Sequence, residues 1–210
     1  MEHTTIILIR HGETVANREN IFRGRMDFPL NEVGIHQAEC LAKELLKFKI
    51  DAIYSSPLSR ALDTAKPIAA MQNLEIEIEP DLANISLGIW EGMPHKEVSQ
   101  KFPQEYHLWK TEPEKLKIPG GENLADVQSR SVSAIERIIQ KHKGRTIAAV
   151  THRAVVKPLI AGLIGIPAPY FWKIHMDNAS YSIIHHNDLQ GYLLYQLNCN
   201  RHLDKFVVEE

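Results

Sequence analysis

The chain of 210 residues has few cysteines, few aromatic residues, no long hydrophobic run and no excess of either charge. Its two cysteines, Cys40 and Cys199, lie far apart in the sequence, so neither a disulfide framework nor a cysteine metal site is indicated. The 24 basic and 26 acidic residues give a formal charge of -2, which argues against bulk attraction to nucleic acid or to an anionic membrane. The apolar start is interrupted by Arg10-His11, so neither a signal peptide nor a membrane anchor is expected. A reducing, cytoplasmic location follows as the expectation.

Short apolar segments typical of strands alternate with helical patterns along the chain. Residues 4–9, 51–54 and 146–150 have strand character, and helical patterns over 34–48, 58–71 and 154–164 follow them. Such alternation favours a mostly parallel sheet with helices on both faces. The predicted fold class is α/β, a three-layer α/β/α sandwich, closed by a pair of strands near residues 181–185 and 192–197.

The pattern changes between residues 82 and 121, where aromatic residues are mixed with prolines. This segment is too apolar for a free linker and is interpreted as a small lid. A further helix is predicted from about residue 122 to 143. We therefore expect one domain over residues 1–210 with a lid insertion at about 82–121. Trp90, Tyr106 and Trp109 of the lid are interpreted as packing residues, and His95 as a surface or packing residue.

Polar residues follow three of the predicted strands directly. They are Arg10-His11-Gly12, the segment from Ser55 to Arg60, and Thr151-His152-Arg153. Ligands in open α/β sheets bind at the carboxyl ends of the strands, where the unpaired amides of helix N-termini also point. The two histidines and the two arginines, Arg10 and Arg60, are therefore expected to converge.

These four side chains suit the transfer of a phosphoryl group. Arg10 and Arg60 offer planar, permanently charged forks for phosphoryl oxygens. Cationic neighbours lower the pKa of a histidine, so His11 would keep a lone pair for attack on phosphorus. His152, protonated by a bound dianion, would stabilise the transition state. No metal-ligand spacing and no Walker or dinucleotide fingerprint occurs in the sequence, so neither a metal nor a cofactor is predicted.

The sequence resembles the histidine phosphatase superfamily, which includes phosphoglycerate mutases and many small phosphatases. The matching segments occur in the family's order and span nearly the whole chain: Leu8-Ile9-Arg10-His11-Gly12-Glu13-Thr14 followed by Asn17, Ser55-Ser56-Pro57-Leu58-Ser59-Arg60-Ala61, Gly88-Ile89-Trp90-Glu91-Gly92, Pro119-Gly120-Gly121-Glu122 and Val150-Thr151-His152. The closing part of the chain is most similar to compact bacterial small-molecule phosphatases, including metal-independent phosphoserine phosphatases.

The resemblance implies a phosphohistidine mechanism without metal. It makes His11 the nucleophile and places the phosphoryl oxygens among Arg10, Arg60, Asn17 and His152. Arg23 and Gly24 fall where family members place substrate-contacting residues, although a solvated loop is an equal alternative. The implied activity is hydrolysis of a small anionic phosphometabolite, either phosphoserine-like or a sugar or ribosyl phosphate.

Two positions depart from the family pattern. Asn84 stands where the family has a glutamate that protonates the leaving group, and an amide can donate a hydrogen bond but is not a general acid. Arg153 stands where most members have a small residue, so it would narrow the pocket or reach an anionic substrate. Three carboxylates are alternative proton donors, each with a competing structural role such as capping or ion pairing: Glu13, Glu91 and Glu122.

Asn84 leaves the functional interpretation open between classes of protein. One alternative to another proton donor is an active enzyme whose substrates have leaving groups that need little protonation. A second is a catalytically impaired subunit that binds a phosphorylated ligand or pairs with an active partner. A phosphoglycerate mutase is the less favoured alternative, because the mutases of the family are longer in the middle region. A homodimer and a heterodimer with a partner subunit are both compatible with the sequence.

Overall fold

The computed structural model describes residues 3–204, which form a six-stranded sheet with helices on both faces. The strands lie in the order β3-β2-β4-β1-β5-β6. The first four of these are parallel, β5 pairs antiparallel with β1, and β6 pairs antiparallel with β5. Their bounds are β1 (Thr4–Arg10), β2 (Ala52–Ser55), β3 (Ile76–Ile78), β4 (Thr146–Thr151), β5 (Tyr181–Asn187) and β6 (Gly191–Cys199). The predicted α/β sandwich with a mostly parallel sheet is confirmed.

The helices begin and end at positions that the sequence chemistry explains. Asn31 caps α2 by accepting from the Gly34 amide at 2.8 Å, and Asn123 forms a reciprocal capping box with Asp126 at the start of α6. At the far end of α7, Gly165 takes the left-handed conformation that stops the helix. The helix bounds are α1 (Val15–Arg18), α2 (Glu32–Leu45), α3 (Ser59–Gln72), α4 (His95–Lys101), α5 (Pro103–Thr111), α6 (Leu124–Lys141) and α7 (Arg153–Ile164).

The apolar run of β1 is explained by the two hydrophobic cores that lie on opposite faces of the sheet. Ile7 and Ile9 face the core formed with α2 and α3, whereas Ile6 and Leu8 face the core formed with α6 and α7. Alternate residues of a strand point to opposite faces, and here both faces are covered. The central strand is therefore apolar throughout until Arg10, where the site begins.

The aromatic segment 82–121 packs against the α6–α7 side of the sheet. Trp90, Val98 and Trp109 are buried in the same core as these two helices, and Tyr106 packs against it. The segment contains α4, α5 and the two short 3-10 turns Gly88–Trp90 and Pro113–Lys115. Burial of these apolar side chains explains why the segment is ordered despite its prolines. Its status as a lid stays a prediction.

The sequence patterns missed the shortest elements. Neither α1 nor β3 was predicted, because four and three residues carry too little periodicity to be recognised. No helix within residues 3–204 has the length and apolar character needed to cross a membrane.

Candidate active site

The predicted convergence of polar residues occurs at the carboxyl ends of β1, β2 and β4. These strands are neighbours in the order β2-β4-β1, and they end at Ser55, Thr151 and Arg10. The next residues after β1 and β4 are His11 and His152, whose ring centroids lie 5.1 Å apart. Both histidines are almost completely buried, as are Arg10 and Arg60.

Close backbone packing fixes the position of His11. A Cβ atom at Gly12 would lie 2.6 Å from the Gly34 carbonyl oxygen, and one at Gly34 would lie 2.1 Å from the Glu13 carbonyl oxygen. The start of α2 therefore approaches this loop more closely than any residue with a side chain allows. Asn178 Nδ2 also donates to the carbonyls of His11 and Gly12, at 3.1 and 3.2 Å.

The His11 ring presents a nitrogen lone pair. Its Nδ1–H donates to the Gly12 carbonyl oxygen at 2.7 Å, which leaves Nε2 unprotonated in the neutral ring. Burial lowers the pKa of His11 well below its usual value, and the charges of Arg60, Arg10 and Arg23 lower it further, against the opposing Gly12 bond. At neutral pH the ring is therefore a neutral imidazole with the nitrogen chemistry of a nucleophile.

His152 is also neutral in the free site. Burial, followed by the positive charge of Arg60, lowers its pKa well below the usual value. Its Nε2 lies 2.7 Å from Ser56 Oγ, and its Nδ1 is buried with no hydrogen-bond partner among residues 3–204. A bound phosphoryl dianion would raise this pKa, so protonation of His152 is tied to ligand binding.

The burial of neutral His152 should make the free energy of unfolding depend on pH. The unfolded chain takes up a proton at His152 near pH 6.5, whereas the folded protein does so only at lower pH, so stability is lost as the pH falls below about 6.5. Replacing His152 with glutamine should make this decline shallower by about 1 kcal/mol per pH unit between pH 6 and 5. Urea unfolding at each pH measures the slope, with the exposed His107→Gln as control. Equal slopes in native protein and His152→Gln would contradict the burial effect.

Arg60 is held by the loop that contains Gly24. Its Nη1 donates to the Met26 carbonyl at 2.9 Å and its Nη2 to the Gly24 carbonyl at 3.0 Å, while its Nε is buried with no partner among the described residues. Burial and the charge of Arg23 lower the pKa of Arg60 to about 9, which still leaves it cationic at neutral pH. Arg10 is anchored separately, because its Nη1 donates to the Met176 carbonyl at 2.6 Å.

Gly24 acts through its backbone. At a φ of +51° it occupies the left-handed region, and a Cβ there would meet Glu91 at 2.2 Å. Its carbonyl accepts from Arg60 and also from Asn84 Nδ2, the latter at 2.9 Å. Gly24, which was predicted to belong to the site, therefore positions Arg60 and Asn84. Asn17 is also engaged locally, because its Oδ1 accepts from Thr14 in the capping box of α1.

One pocket opens beside the two histidines. It is lined by the predicted residues His11, Arg23, Gly24, Asn84, His152 and Arg153, together with Ile21, Phe22, Ile85, Leu87, His95, Trp109, Ala154 and Phe171. Trp109 and His95 pack as expected, Trp109 in the core and His95 stacked on Phe22, and α4 and α5 also bring them to the lining of this pocket.

The three carboxylates considered as proton donors do not line this pocket. Glu13 accepts from Asn31 Nδ2 at 2.7 Å and lies beside Arg18. The Oε1 of Glu91 accepts from two backbone amides, those of Arg25 and Leu87. The structure thus places Glu13 and Glu91 in contacts that hold neighbouring loops.

Glu122 is the third of these carboxylates. It accepts from the Ser86 amide at 2.9 Å and pairs with Arg130 and Arg25. Burial opposes ionisation, but these partners together hold the pKa of Glu122 below its usual value. The sequence had suggested that Glu122 could cap the helix it precedes. It does not cap α6, because Asn123 and Asp126 form that cap.

Sequence reasoning missed several residues that support the site. Ser56 belongs to a segment that was singled out, but its bond to His152 depends on the pairing of β2 with β4. Asn178 and the Met176 carbonyl reach the site from the turn before β5, about 166 residues from their partners, and no local pattern indicates them. No group of three metal-ligating side chains occurs in the part of the chain that the structure describes.

A neutral buried histidine, a second histidine and two guanidinium groups at the ends of parallel strands define an α/β enzyme of histidine-mediated phosphoryl transfer. A sequence profile of the histidine phosphatase superfamily (branch 1) matches residues 6–198, and the chain belongs to that family.

Known proteins are similar to this chain over most of its length. Phosphoserine phosphatase 1 of Hydrogenobacter thermophilus is 38% identical over 204 residues, covering 97% of this chain and 96% of that protein. Adenosylcobalamin/alpha-ribazole phosphatase of Escherichia coli is 32% identical over 177 residues, covering 84% and 87%. The solved structure of Bacillus stearothermophilus YhfR has a TM-score of 0.91 at 34% identity, covering 95% of this chain and 98% of that one. The chain is therefore a small-molecule phosphatase of the histidine phosphatase type.

Proposed function

We propose that the protein hydrolyses a small anionic phosphomonoester through a phosphohistidine formed at His11 Nε2. The observation that carries this proposal is the bond from His11 Nδ1–H to the Gly12 carbonyl, which directs the free lone pair to Nε2. Burial and three arginine charges keep the ring neutral, and thus nucleophilic, at neutral pH.

The other charged side chains of the proposed site would serve the phosphoryl group. Arg10 and Arg60 would bind its oxygens, since guanidinium groups offer several donors in a fixed plane. The buried Nε–H of Arg60, which has no partner among the described residues, is an additional donor. His152 adds another through Nδ1 once its ring is protonated. Arg23 adds positive charge beside them, as its effect on His11 indicates. Asn17 would contribute through its amide group.

Two displacements complete the proposed reaction. The His11 lone pair attacks phosphorus as the bond to the leaving oxygen breaks, and that oxygen departs with the electron pair. Water then attacks the phosphohistidine, so that His11 regains its lone pair and inorganic phosphate forms. Negative charge is spread over the phosphoryl oxygens and the leaving oxygen in the transition state, so catalysis depends mainly on positioning and electrostatics.

The substrate is not determined by family membership, since the two curated relatives are named for different substrates. Release of inorganic phosphate in EDTA should be measured from phosphoserine, 3-phosphoglycerate, sugar and ribosyl phosphates, and an aryl phosphate. We expect turnover of at least one of them without added metal. Absence of phosphate release from all of them would contradict the phosphatase activity and favour the impaired binding or partner subunit that Asn84 suggested.

Arg153 is the residue we expect to tune substrate preference. It lines the pocket, and its guanidinium lies 5.8 Å from the centre of the Trp172 ring. Arg153→Gly should change kcat/KM by about 10-fold or more for a substrate with a second anionic group, and by less than about 3-fold for one without. Equal losses for all substrates would instead place Arg153 at the phosphoryl group.

The proposed setting is the cytoplasm, with a small phosphorylated metabolite as the binding partner. A homodimer and a heterodimer both stay predictions, which size-exclusion chromatography with light scattering separates.

A further inference from the structure

The pocket is lined in part by apolar and aromatic side chains. Seven of its lining side chains are aliphatic or carry a Phe or Trp ring: Ile21, Phe22, Ile85, Leu87, Trp109, Ala154 and Phe171. The three aromatic rings form a continuous wall, with centroids 5.4 Å apart between Phe22 and Trp109 and 5.5 Å apart between Trp109 and Phe171. Such a wall suits a flat, apolar leaving group, because aromatic rings pack favourably in tilted and edge-on arrangements.

The same pocket offers no carboxylic acid among the residues that the structure describes. Asn84 lies on its wall, where Nδ2 is held by the Gly24 carbonyl and Oδ1 is buried without a partner. The amide N–H groups of Asn84 can donate hydrogen bonds but are not acidic, so Asn84 transfers no proton to a leaving oxygen. The nearby carboxylates of Glu91 and Glu122 are occupied by backbone amides and arginines.

A site of this kind favours leaving groups that depart as anions. A phenol has a pKa of about 10, as in tyrosine, whereas an aliphatic alcohol is a far weaker acid. General acid catalysis is worth about 10²- to 10⁴-fold, and a phenolate needs that assistance least. The apolar wall and the missing acid thus point to the same substrate class.

Resting on the function proposed above, we propose that the enzyme acts on aryl monophosphates, in which a phenolic oxygen carries the phosphoryl group. His11 Nε2 forms a bond to phosphorus, the bond from phosphorus to the phenolic oxygen breaks, and the phenolate leaves with the electron pair. The phenolate takes its proton from solvent. Water then releases phosphate from His11, so one water is consumed for each phenol and phosphate formed.

Four substrates separate the two properties of the leaving group. Phenyl phosphate has both the ring and an acidic oxygen, benzyl phosphate has the ring on an alcohol, acetyl phosphate has an acidic oxygen without a ring, and phosphoserine has neither. We expect kcat/KM for phenyl phosphate to exceed that for benzyl phosphate by at least about 10²-fold. A higher kcat/KM for acetyl phosphate than for phenyl phosphate, or for phosphoserine than for either, would overturn the aryl assignment.

Two variants at Asn84 test the missing acid. Asn84→Glu should raise kcat/KM for benzyl phosphate by about 10²-fold or more and change that for phenyl phosphate by only a few fold. Asn84→Gln, of equal length but without an acidic proton, should not give this gain. The proposal is overturned if benzyl phosphate is a good substrate of the native enzyme. His95 would then be the proton donor to test, and His95→Gln should abolish the hydrolysis of benzyl phosphate.

The apolar wall is tested separately at Leu87. Leu87→Ala should raise KM for phenyl phosphate while leaving KM for acetyl phosphate within about 2-fold. Leu189, whose side chain is 81% exposed, provides the control, and Leu189→Ala should change neither KM. Equal effects on both substrates would contradict a ring-binding wall. If none of the four substrates is hydrolysed, the proposed phosphatase function itself fails, whereas hydrolysis with another preference overturns the aryl proposal alone.

Discussion

Replacement of His11 by alanine should lower kcat by at least about 10⁴-fold on every substrate and abolish the phosphoenzyme. The imidazole supplies the atom that bonds to phosphorus, and its Gly12 contact leaves Nε2 as the unprotonated nitrogen. Phosphate release and acid-quenched, radiolabelled phosphoenzyme report the two effects. The ring is buried, so circular dichroism should first establish that the variant is folded.

A matched control strengthens this test of the nucleophile. His107 is an exposed histidine on α5, outside the pocket, and His107→Ala should keep native turnover. If His11→Ala retains a labelled phosphoenzyme, His152 would be the next nucleophile to test. Retention of activity without any phosphoenzyme would instead mean that water attacks the substrate directly.

Substitution of Arg60 by lysine should lower kcat/KM by about 10²- to 10⁴-fold for all substrates, although the charge is kept. Lysine lacks the planar fork, so it cannot bind both the Gly24 and Met26 carbonyls and still direct donors to the phosphoryl group. Each charge-assisted hydrogen bond is worth about 1.5–3 kcal/mol, and loss of two bonds accounts for the range. Steady-state kinetics and the inhibition constant of inorganic phosphate measure the effect.

The expected pattern for Arg60 is uniform among substrates. Phosphate inhibition should weaken together with substrate binding, because the phosphoryl group is common to both. Arg201→Lys, an exchange at an exposed arginine, should leave both unchanged. A defect confined to one substrate would assign Arg60 to recognition of the leaving group and would leave Arg10 as the principal phosphoryl ligand.

The two arginines illustrate how much of the site was predictable. The positions of Arg10 and His11 follow from a strand of continuous apolar residues that ends in polar ones, since parallel strands direct their carboxyl ends to a shared edge. The same argument places His152 after β4. Arg60 was predicted from its place after β2, but its contacts with the loop around Gly24 were not, because those residues are 36 positions apart.

The pocket lining was harder to predict than the packing. His95 and Trp109 were assigned to packing, which the structure bears out, but their place in the pocket lining was not predicted. Whether a buried aromatic faces a core or a pocket depends on how α4 and α5 dock against the loop that contains Phe22, whose ring stacks on His95 at 3.9 Å. Docking of this kind is set by contacts between distant segments, and a local pattern carries no information on it.

The sequence by itself determined the layered α/β fold, the end of each strand at which the chemistry lies, and the identities of the two histidines and two arginines. These properties follow from short-range periodicity and from the chemical nature of single side chains. Only the tertiary structure decided which nitrogen of His11 is free, which carboxylates are occupied, and which apolar side chains line the pocket. These properties depend on hydrogen bonds and packing between segments far apart in the chain, such as those from Gly24 to Arg60 and Asn84.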